Sequence, residues 1–348
     1  MWRIAFRDLQ WRRRRFLIAL LATGLVFSLT LLMAATSRGI KGEARHILDA
    51  IGADAWLVAE GTAGPFTTTT AIEAEKADEV ADLPGVRRAD PLILLHTTAL
   101  LGTVKDINLI GYRIGGIGEP RVVEGRVPDA LGEAVADKKL GLKLGSNVDL
   151  SGHPVRVVGI ATGVTFFYGI PTIFTPIEDT QQVAFAGLPI AMSIATRGVP
   201  EEAPPGLDLH LPDAVEKDLK RPLANGSSTI GFINVLLWLV ATGIIGSIIY
   251  LSALERVRDF AVLKATGAAT RSLFLGLAMQ AIILSVGAVL VAIVLSRLLA
   301  PGMAFAVEFA PIDVVQLAGI ALVIGFLSSL AGLRRAVGVD PALAFGGS

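Results

Sequence analysis

The residues best placed to do work lie in one stretch, ERVRDFAVLKATGAATRSLF, at positions 255–274. Residues 255–265 are good helix formers and Gly267 is placed to end the helix. Glu255 and Asp259 fall near its start and Lys264 near its end, the order that suits a helix macrodipole. Leu254, Val257, Ala261 and Ala265 recur at i, i+3, i+7 and i+11, giving one apolar stripe on a charged helix. Such a segment makes and breaks no bond. Its chemistry is docking: a solid handle that a partner protein can seat and push. A plain connecting helix is the alternative, and the pattern alone leaves both open.

Groups for bond-making chemistry are sparse elsewhere. The chain has no cysteine, which excludes disulfides, thiolate metal sites and a cysteine nucleophile. The four histidines, His46, His96, His153 and His210, are widely spaced without a ligand pattern, so we expect ordinary surface or core residues and no metal. No GxxxxGK[ST] loop is present to cradle nucleotide phosphates. GYRIGGIGEP (111–120) has dinucleotide-like glycines at the wrong spacing and is expected to be a turn. No Ser-His-Asp arrangement or HExxH stands out. A net charge of zero gives no sign of a nucleic-acid partner. The chain is not expected to be an enzyme.

The elements that must position residues 255–274 are apolar. The chain is 53% hydrophobic with a mean hydropathy of +0.63, which points to a membrane protein. Phe16–Thr36, Ile230–Ala253, Leu273–Ser296 and Val314–Leu333 contain no Asp, Glu, Lys, Arg or His. At about 1.5 Å per residue, stretches of this length cover a hydrocarbon core of roughly 30 Å. Ion-coupled transporters and intramembrane hydrolases usually need ionisable groups there, so both classes are disfavoured. Small residues recur at four-residue spacing in Gly24/Ser28, Gly243/Ser247 and Gly325/Ser329, which permits close helix approach.

Arg and Lys cluster before the first stretch, between the second and third (Arg256, Arg258, Lys264, Arg271) and after the fourth (Arg334, Arg335). The positive-inside rule then predicts cytoplasmic termini, a cytoplasmic segment 254–272 and a domain of residues 37–229 outside. The loop 297–313 is short and outside, with Arg297 at its edge. At the N-terminus, Trp2, Ala5, Phe6 and Leu9 share one helical face, so residues 1–15 read as an amphipathic elbow in the inner interface. Trp2, Trp11 and Arg12, Arg13, Arg14 and Arg15 would anchor it to membrane lipid; a basic tail that only sets topology is the alternative, and a signal peptide is disfavoured by the length of the apolar run.

In the outside domain, PLILLHTTALL, INLIGY, PVRVVGI and PTIFTP read as strands, AIEAEKADEVADL (71–83) as a helix, and 198–222 as a proline-rich loop with one helix. The fold class expected is an α-helical membrane protein with four transmembrane helices, arranged 1+3, and a large α+β extracytoplasmic domain between the first and second.

ERVRDFAVLKATGA closely resembles the signature of FtsX/MacB-like ABC transporter permeases: Glu255, Arg256, Ala261, Lys264, Ala265, Gly267 and Ala268 match. Asp259 replaces the commoner Glu and keeps its charge, and Thr266 stands where an apolar residue is usual. EGRVPDALGEAVADKKLGLKLGSNVDLSGHPVRVVGI (124–160) resembles the family's extracytoplasmic core domain. VDPALAF (339–345) resembles its closing motif, with Leu343 where Glu is common, and GADAWLVAEGTAGPF (52–66) is similar to the DevC-type branch. The resemblance implies a permease subunit of the bacterial inner membrane that forms a homodimer and binds a separate cytoplasmic ABC ATPase dimer through residues 254–272. ATP and Mg would be bound by that ATPase, with no cofactor on this chain. The resemblance further implies export or extraction of an amphiphilic or lipid-like substrate, with a periplasmic adaptor as a further partner. The second reading it allows is a signal transmitter that regulates a cell-wall hydrolase and transports nothing.

Overall fold

The structure is a computed structural model and describes residues 13–67, 70–222, 224–255, 270–303 and 307–337 of the 348. The chain divides into two compact units, one built on Gly39–Gly226 and the other on the chain up to Arg38, Ser227–Met303 and the chain from Val307.

The first helix, α1 (Arg13–Ile51), contributes to both units and continues 15 residues past the expected end at Thr36. Nothing stops it: no proline occurs before Pro65, and Ile40, Ala44, Ile47, Leu48 and Ile51 keep the apolar helical period. These five side chains are buried. The helix ends where Gly52 adopts φ 68° and its N–H bonds the Leu48 carbonyl at 2.9 Å, a glycine C-cap.

The Gly39–Gly226 unit then runs β1 (Ala55–Ala59), β2 (Ile72–Glu73), α2 (Lys76–Ala81), β3 (Arg88–Leu101), β4 (Thr103–Tyr112), β5 (Val122–Gly125), β6 (Glu133–Asp137), β7 (Asn147–Leu150), β8 (His153–Ala161), β9 (Thr165–Phe166), β10 (Ile170–Pro176), α3 (Ile177–Phe185), β11 (Ile190–Ala191), β12 (Ser193–Arg197), β13 (Leu207–His210) and α4 (Pro212–Lys220). Eleven strands form one mixed sheet in the order β13-β1-β12-β3-β4-β10-β6-β8-β5, with β7 against β3 and β8 and β9 against β10. The β4–β10 and β6–β8 pairs are parallel. β3 changes partner along its length: Arg88–Leu92 pair with β12 and Ile93–Leu101 with β4. The change follows Pro91, whose ring supplies no ladder N–H.

Alternation along the central strands feeds two cores. Ile110, Val135 and Phe174 join Trp56 and Leu94 with Ile47 of α1 and Leu219 of α4. Their chain neighbours Leu109, Ala134 and Ile173 join Ile107 and Val157 in the second core. With both faces covered, these strands read as continuous apolar runs in sequence.

The four expected strand segments are strands, and Gly115, Gly116 and Gly118 lie in a turn in which the Gly116 N–H bonds the Arg113 carbonyl at 2.7 Å, while Gly111 belongs to β4. Two expectations need correction. The helix expected over 71–83 is α2 alone, because Ile72 and Ala191 pair across the β2–β11 ladder and take the start of that segment into a strand. The stretch 198–222 holds the expected helix, α4, and also β13, which pairs antiparallel with β1.

The other unit comprises α1 up to Arg38, α5 (Ala224–Glu255), α6 (Thr270–Leu299) and α7 (Pro311–Val337). Among the described residues three stretches are long and apolar enough to cross a membrane: Phe16–Ile51, Ser228–Ile248 and Ala278–Gly302. The apolar part of α7, Pro311–Leu327, is shorter. Phe27 and Leu31 of α1, Ala241 and Ile245 of α5, Ala281, Leu284, Ala288 and Ala292 of α6 and Leu317, Ala321 and Ile324 of α7 share one core. Small residues set the helix spacing: a Cβ on Gly24 would lie 2.5 Å from Val291 Cγ1, and one on Gly325 2.9 Å from Ser285 Oγ.

Candidate functional site

The docking residues expected from sequence lie at a helix connection. α5 ends at Glu255 and α6 begins at Thr270; Arg256, Asp259, Ala261, Lys264, Ala265, Gly267 and Ala268 lie outside the described residues. Of the anchoring set, Trp2, Trp11 and Arg12 also lie outside them, while Arg13, Arg14 and Arg15 open α1, with Arg14 exposed.

Two polar constructions absent from the sequence reading are visible. The first lies in the helical unit, where α7 begins. Pro311 occupies the first helical position, whose N–H would have no partner in any case. Asp313 Oδ2 accepts the Ala310 N–H at 3.1 Å while the Asp313 N–H bonds the Ala310 carbonyl at 3.0 Å, a reciprocal cap. The same carboxylate receives both prongs of Arg38, Nε to Oδ2 at 3.2 Å and Nη2 to Oδ1 at 2.5 Å. Asp313 is 5% exposed, whereas the Arg38 side chain keeps 42% of its surface. The hydrogen bond that Arg38 donates to Asp313 holds the Arg38 pKa above the ordinary guanidinium value; burial opposes this, and the charges of Asp313 and Glu308 add to it. Glu308 N–H also bonds the Ala35 carbonyl at 3.1 Å, so α1 is fastened to the 307–313 connection at two points.

The second construction is a set of buried carboxylates in the sheet unit, each accepting backbone N–H groups of a loop. Asp90 accepts from Ile117 at 2.9 Å, Asp137 from Lys139 at 2.8 Å and Val164 at 3.1 Å, and Asp179 from Gly132 at 2.8 Å. Asp218 of α4 accepts the Phe66 N–H at 3.0 Å and the Thr67 hydroxyl, and it leaves no room for a Cβ on Gly64. All four are 1–4% exposed. A buried carboxylate is tolerable only when its lone pairs are satisfied, and here loop amides do so. The arrangement holds loops in place.

The histidines have local roles: His153 Nε2 lies 2.9 Å from Asp179 Oδ1 and His96 Nδ1 3.4 Å from Asn108 Oδ1. Among the described residues no three His, Asp or Glu side chains converge as a metal site. Tyr112 is buried and its phenol pKa is raised, first by that burial and then by the charge of Glu119.

The sequence model of the MacB-like periplasmic core domain matches residues 16–203, and that of the FtsX-like permease C-terminal domain matches residues 231–341. An ABC transporter permease of Mycobacterium tuberculosis is 44% identical over 345 residues, 99% of each chain. The chain belongs to the FtsX/MacB-type ABC transporter permeases. A second permease of Mycobacterium tuberculosis is 41% identical over 344 residues, again 99% of each chain. The periplasmic region of MacB from Actinobacillus actinomycetemcomitans is 14% identical, with a TM-score of 0.36 over 50% of this chain and 95% of that one. Membership makes the permease a membrane protein of the bacterial cell membrane. The FtsX-like match also runs through 255–268, the segment expected from sequence to dock a partner.

Proposed function

We propose that the permease is the membrane half of a mechanotransmission machine, driven by ATP hydrolysis on a separate cytoplasmic ATPase dimer. In this reading residues 16–36, 230–253, 273–296 and 314–333 are four spans in a 1+3 order. Residues 37–229 lie outside, both termini lie in the cytoplasm, and 254–272 is the coupling helix seated in the ATPase. The observation that carries it is the position of the signature segment, which is the whole connection between two long apolar helices, α5 and α6. ATP and Mg are bound by the partner. Glu255, Arg256, Asp259 and Lys264 supply the polar contacts to it, and Ala261, Ala265, Gly267 and Ala268 let the helix sit close.

Two further observations support the reading. The apolar stretches contain no Asp, Glu, Lys, Arg or His, which suits motion carried by packed helices better than a polar tunnel. On α5, Gly243 meets nothing within 4 Å of an added Cβ, whereas Gly24 and Gly325 are in close contact. Phe232, Leu236 and Leu239 are exposed on the same helix. That face suits a second copy of the permease, giving a homodimer. The substrate class that suits an apolar, uncharged membrane unit is an amphiphile or lipid, exported or extracted.

The test is Glu255→Ala with Lys264→Ala: expression and insertion should be retained while ATPase co-purification or coupled hydrolysis falls. Full coupled activity in that double variant overturns the assignment. Topology has its own test, made clean by the lack of native cysteine. Ser151→Cys should react with an impermeant thiol reagent in intact cells, and Ala268→Cys only after permeabilisation.

A further inference from the structure

Between β9 and β10 the chain turns through Phe167, Tyr168 and Gly169, with φ of 53°, 66° and 79°. Glycine takes this left-handed region freely, but Phe and Tyr do not; each costs about 1–2 kcal/mol there. Such strain persists only where the surroundings enforce it. Three buried polar side chains do so here. Glu43 of α1, 4% exposed, accepts the Thr165 hydroxyl at 3.2 Å and the Gly169 N–H at 3.0 Å. Asn108 of β4 donates to the carbonyls of Phe166 at 3.1 Å and Ile170 at 2.9 Å. Asp137 accepts the Val164 N–H at 3.1 Å. Phe166 completes the cage, lying edge-on to Phe66 with ring centres 5.5 Å apart.

Tyr168 faces the other way. Its hydroxyl sits where a Cβ on Gly226 would come within 2.8 Å, so it abuts the first turn of α5. The turn therefore touches residue 43 of one helix and residue 226 of another. Among the described residues these are the two helices that carry a unit boundary, at Arg38/Gly39 in α1 and Gly226/Ser227 in α5. A Gly or Asn at 168 would make the same reversal without strain, so the strain here accompanies a side chain that reaches α5.

We propose that the left-handed turn Phe167–Gly169, held by Glu43 of α1 and abutting Gly226 of α5, is a two-state clasp through which these helices control the sheet unit. A small shift of α1 takes the Glu43 carboxylate away from the Gly169 N–H. The turn then relaxes, and the strain released offsets part of the lost hydrogen bonding. Because closed and open forms are separated by opposing terms of similar size, modest motion in the helices can switch the turn. The proposal rests on the force-transmission reading above. Glu43 is a positioning residue in it.

The experiment is hydrogen exchange on the full-length permease in nanodiscs, following the peptide that covers 164–170, alone and with its co-purified ATPase. In the isolated permease, Glu43→Ala should speed exchange there by about tenfold or more, since a buried donor loses its acceptor. Tyr168→Gly, which removes the penalty at one residue, should slow it by about 5- to 30-fold; unchanged or faster exchange in that variant shows that the turn stores no strain. Thr165→Val serves as the milder variant if Glu43→Ala does not fold, with a smaller rise in exchange. The deciding measurement compares nucleotide-free and vanadate-trapped complexes, a contrast that a purely structural role would not move. Exchange at 164–170 should differ several-fold between them, while a distant loop such as 151–153 stays constant. Equal exchange in both states, with the ATPase still bound, overturns the clasp and leaves the proposed function standing. Failure of any ATPase to bind the permease overturns both.

Discussion

The two units of the permease solve the same problem, keeping elements in register, with opposite materials. In the helical unit contact is made by absence: Gly24, Ala281, Ala288 and Gly325 carry little or no side chain, so neighbouring helices come close. Buried hydroxyls such as Thr23, Ser28 and Ser285 have no side-chain partner there. In the sheet unit the buried positions include full carboxylates, Asp90, Asp137, Asp179, Asp218 and Glu43, each bonded to loop amides or hydroxyls. A lipid-facing helix already satisfies its own backbone, so only shape is left to specify. A sheet with long loops has many N–H groups without ladder partners, and each must be matched or left to water.

That contrast can be broken most directly by size. Gly24→Leu pushes a side chain into Val291 and should destabilise the helical unit by roughly 3 kcal/mol or more, seen as a lower melting temperature in detergent. A Cβ on Gly243 meets nothing within 4 Å among the described residues, so Gly243→Leu should leave that melt unchanged, while lowering the dimer fraction if the α5 face is a self-interface. Equal melts for both variants would erase the distinction. Next in size is Asp218→Ala, which strands the Phe66 N–H and the Thr67 hydroxyl. A loss of about 2–4 kcal/mol is expected, with faster exchange at 64–67.

Asp313→Ala tests a charge pair that fastens the helical unit. It removes the two-pronged bond from Arg38 and the cap on Ala310, and should cost about 1–3 kcal/mol. Exchanging the pair as Arg38→Asp with Asp313→Arg should recover less than half of the loss, because the cap on α7 is not restored.

The smallest effect is on acid stability. The Glu216 carboxyl is held below its usual 4.5 first by a hydrogen bond from Lys220 and then, against burial, by that charge and by Arg45. Glu133 is lowered likewise, first by Arg126. A carboxyl that is more acidic when folded stabilises fully above about pH 4.5, and that contribution is lost as pH falls through the lower native value. Arg45 is largely and Arg126 about half exposed, so Glu216→Gln and Glu133→Gln should flatten the acid limb of stability by a small amount only.

Much of this architecture was written in local pattern. Uncharged runs over 16–36, 230–253, 273–296 and 314–333 mark helices α1, α5, α6 and α7, because apolar length is a property of contiguous residues. Short apolar runs between Gly and Pro mark β3, β4, β8 and β10 for the same reason. The part of α1 beyond Thr36 lies past the end of the uncharged run, although Ile40, Ala44, Ile47 and Ile51 carry the helical period there. Glu43 had a faint signature, an acid placed on the stripe of Ile40 and Ile47, as a residue meant for burial would be. Arg38 had none, because its partner is 275 positions away.

By itself the sequence determined what kind of segment stands where: which stretches suit lipid, which suit a sheet, and which charged segment of family signature joins two apolar helices. Those are outcomes of composition and period, and neighbours along the chain suffice for them. Only the tertiary structure decided that Arg38 meets Asp313, that β3 passes from β12 to β4 along its length, and that Glu43 holds a left-handed turn beside Gly226. Each of these joins residues far apart in sequence, and it becomes fixed only when the cores on both sides have packed.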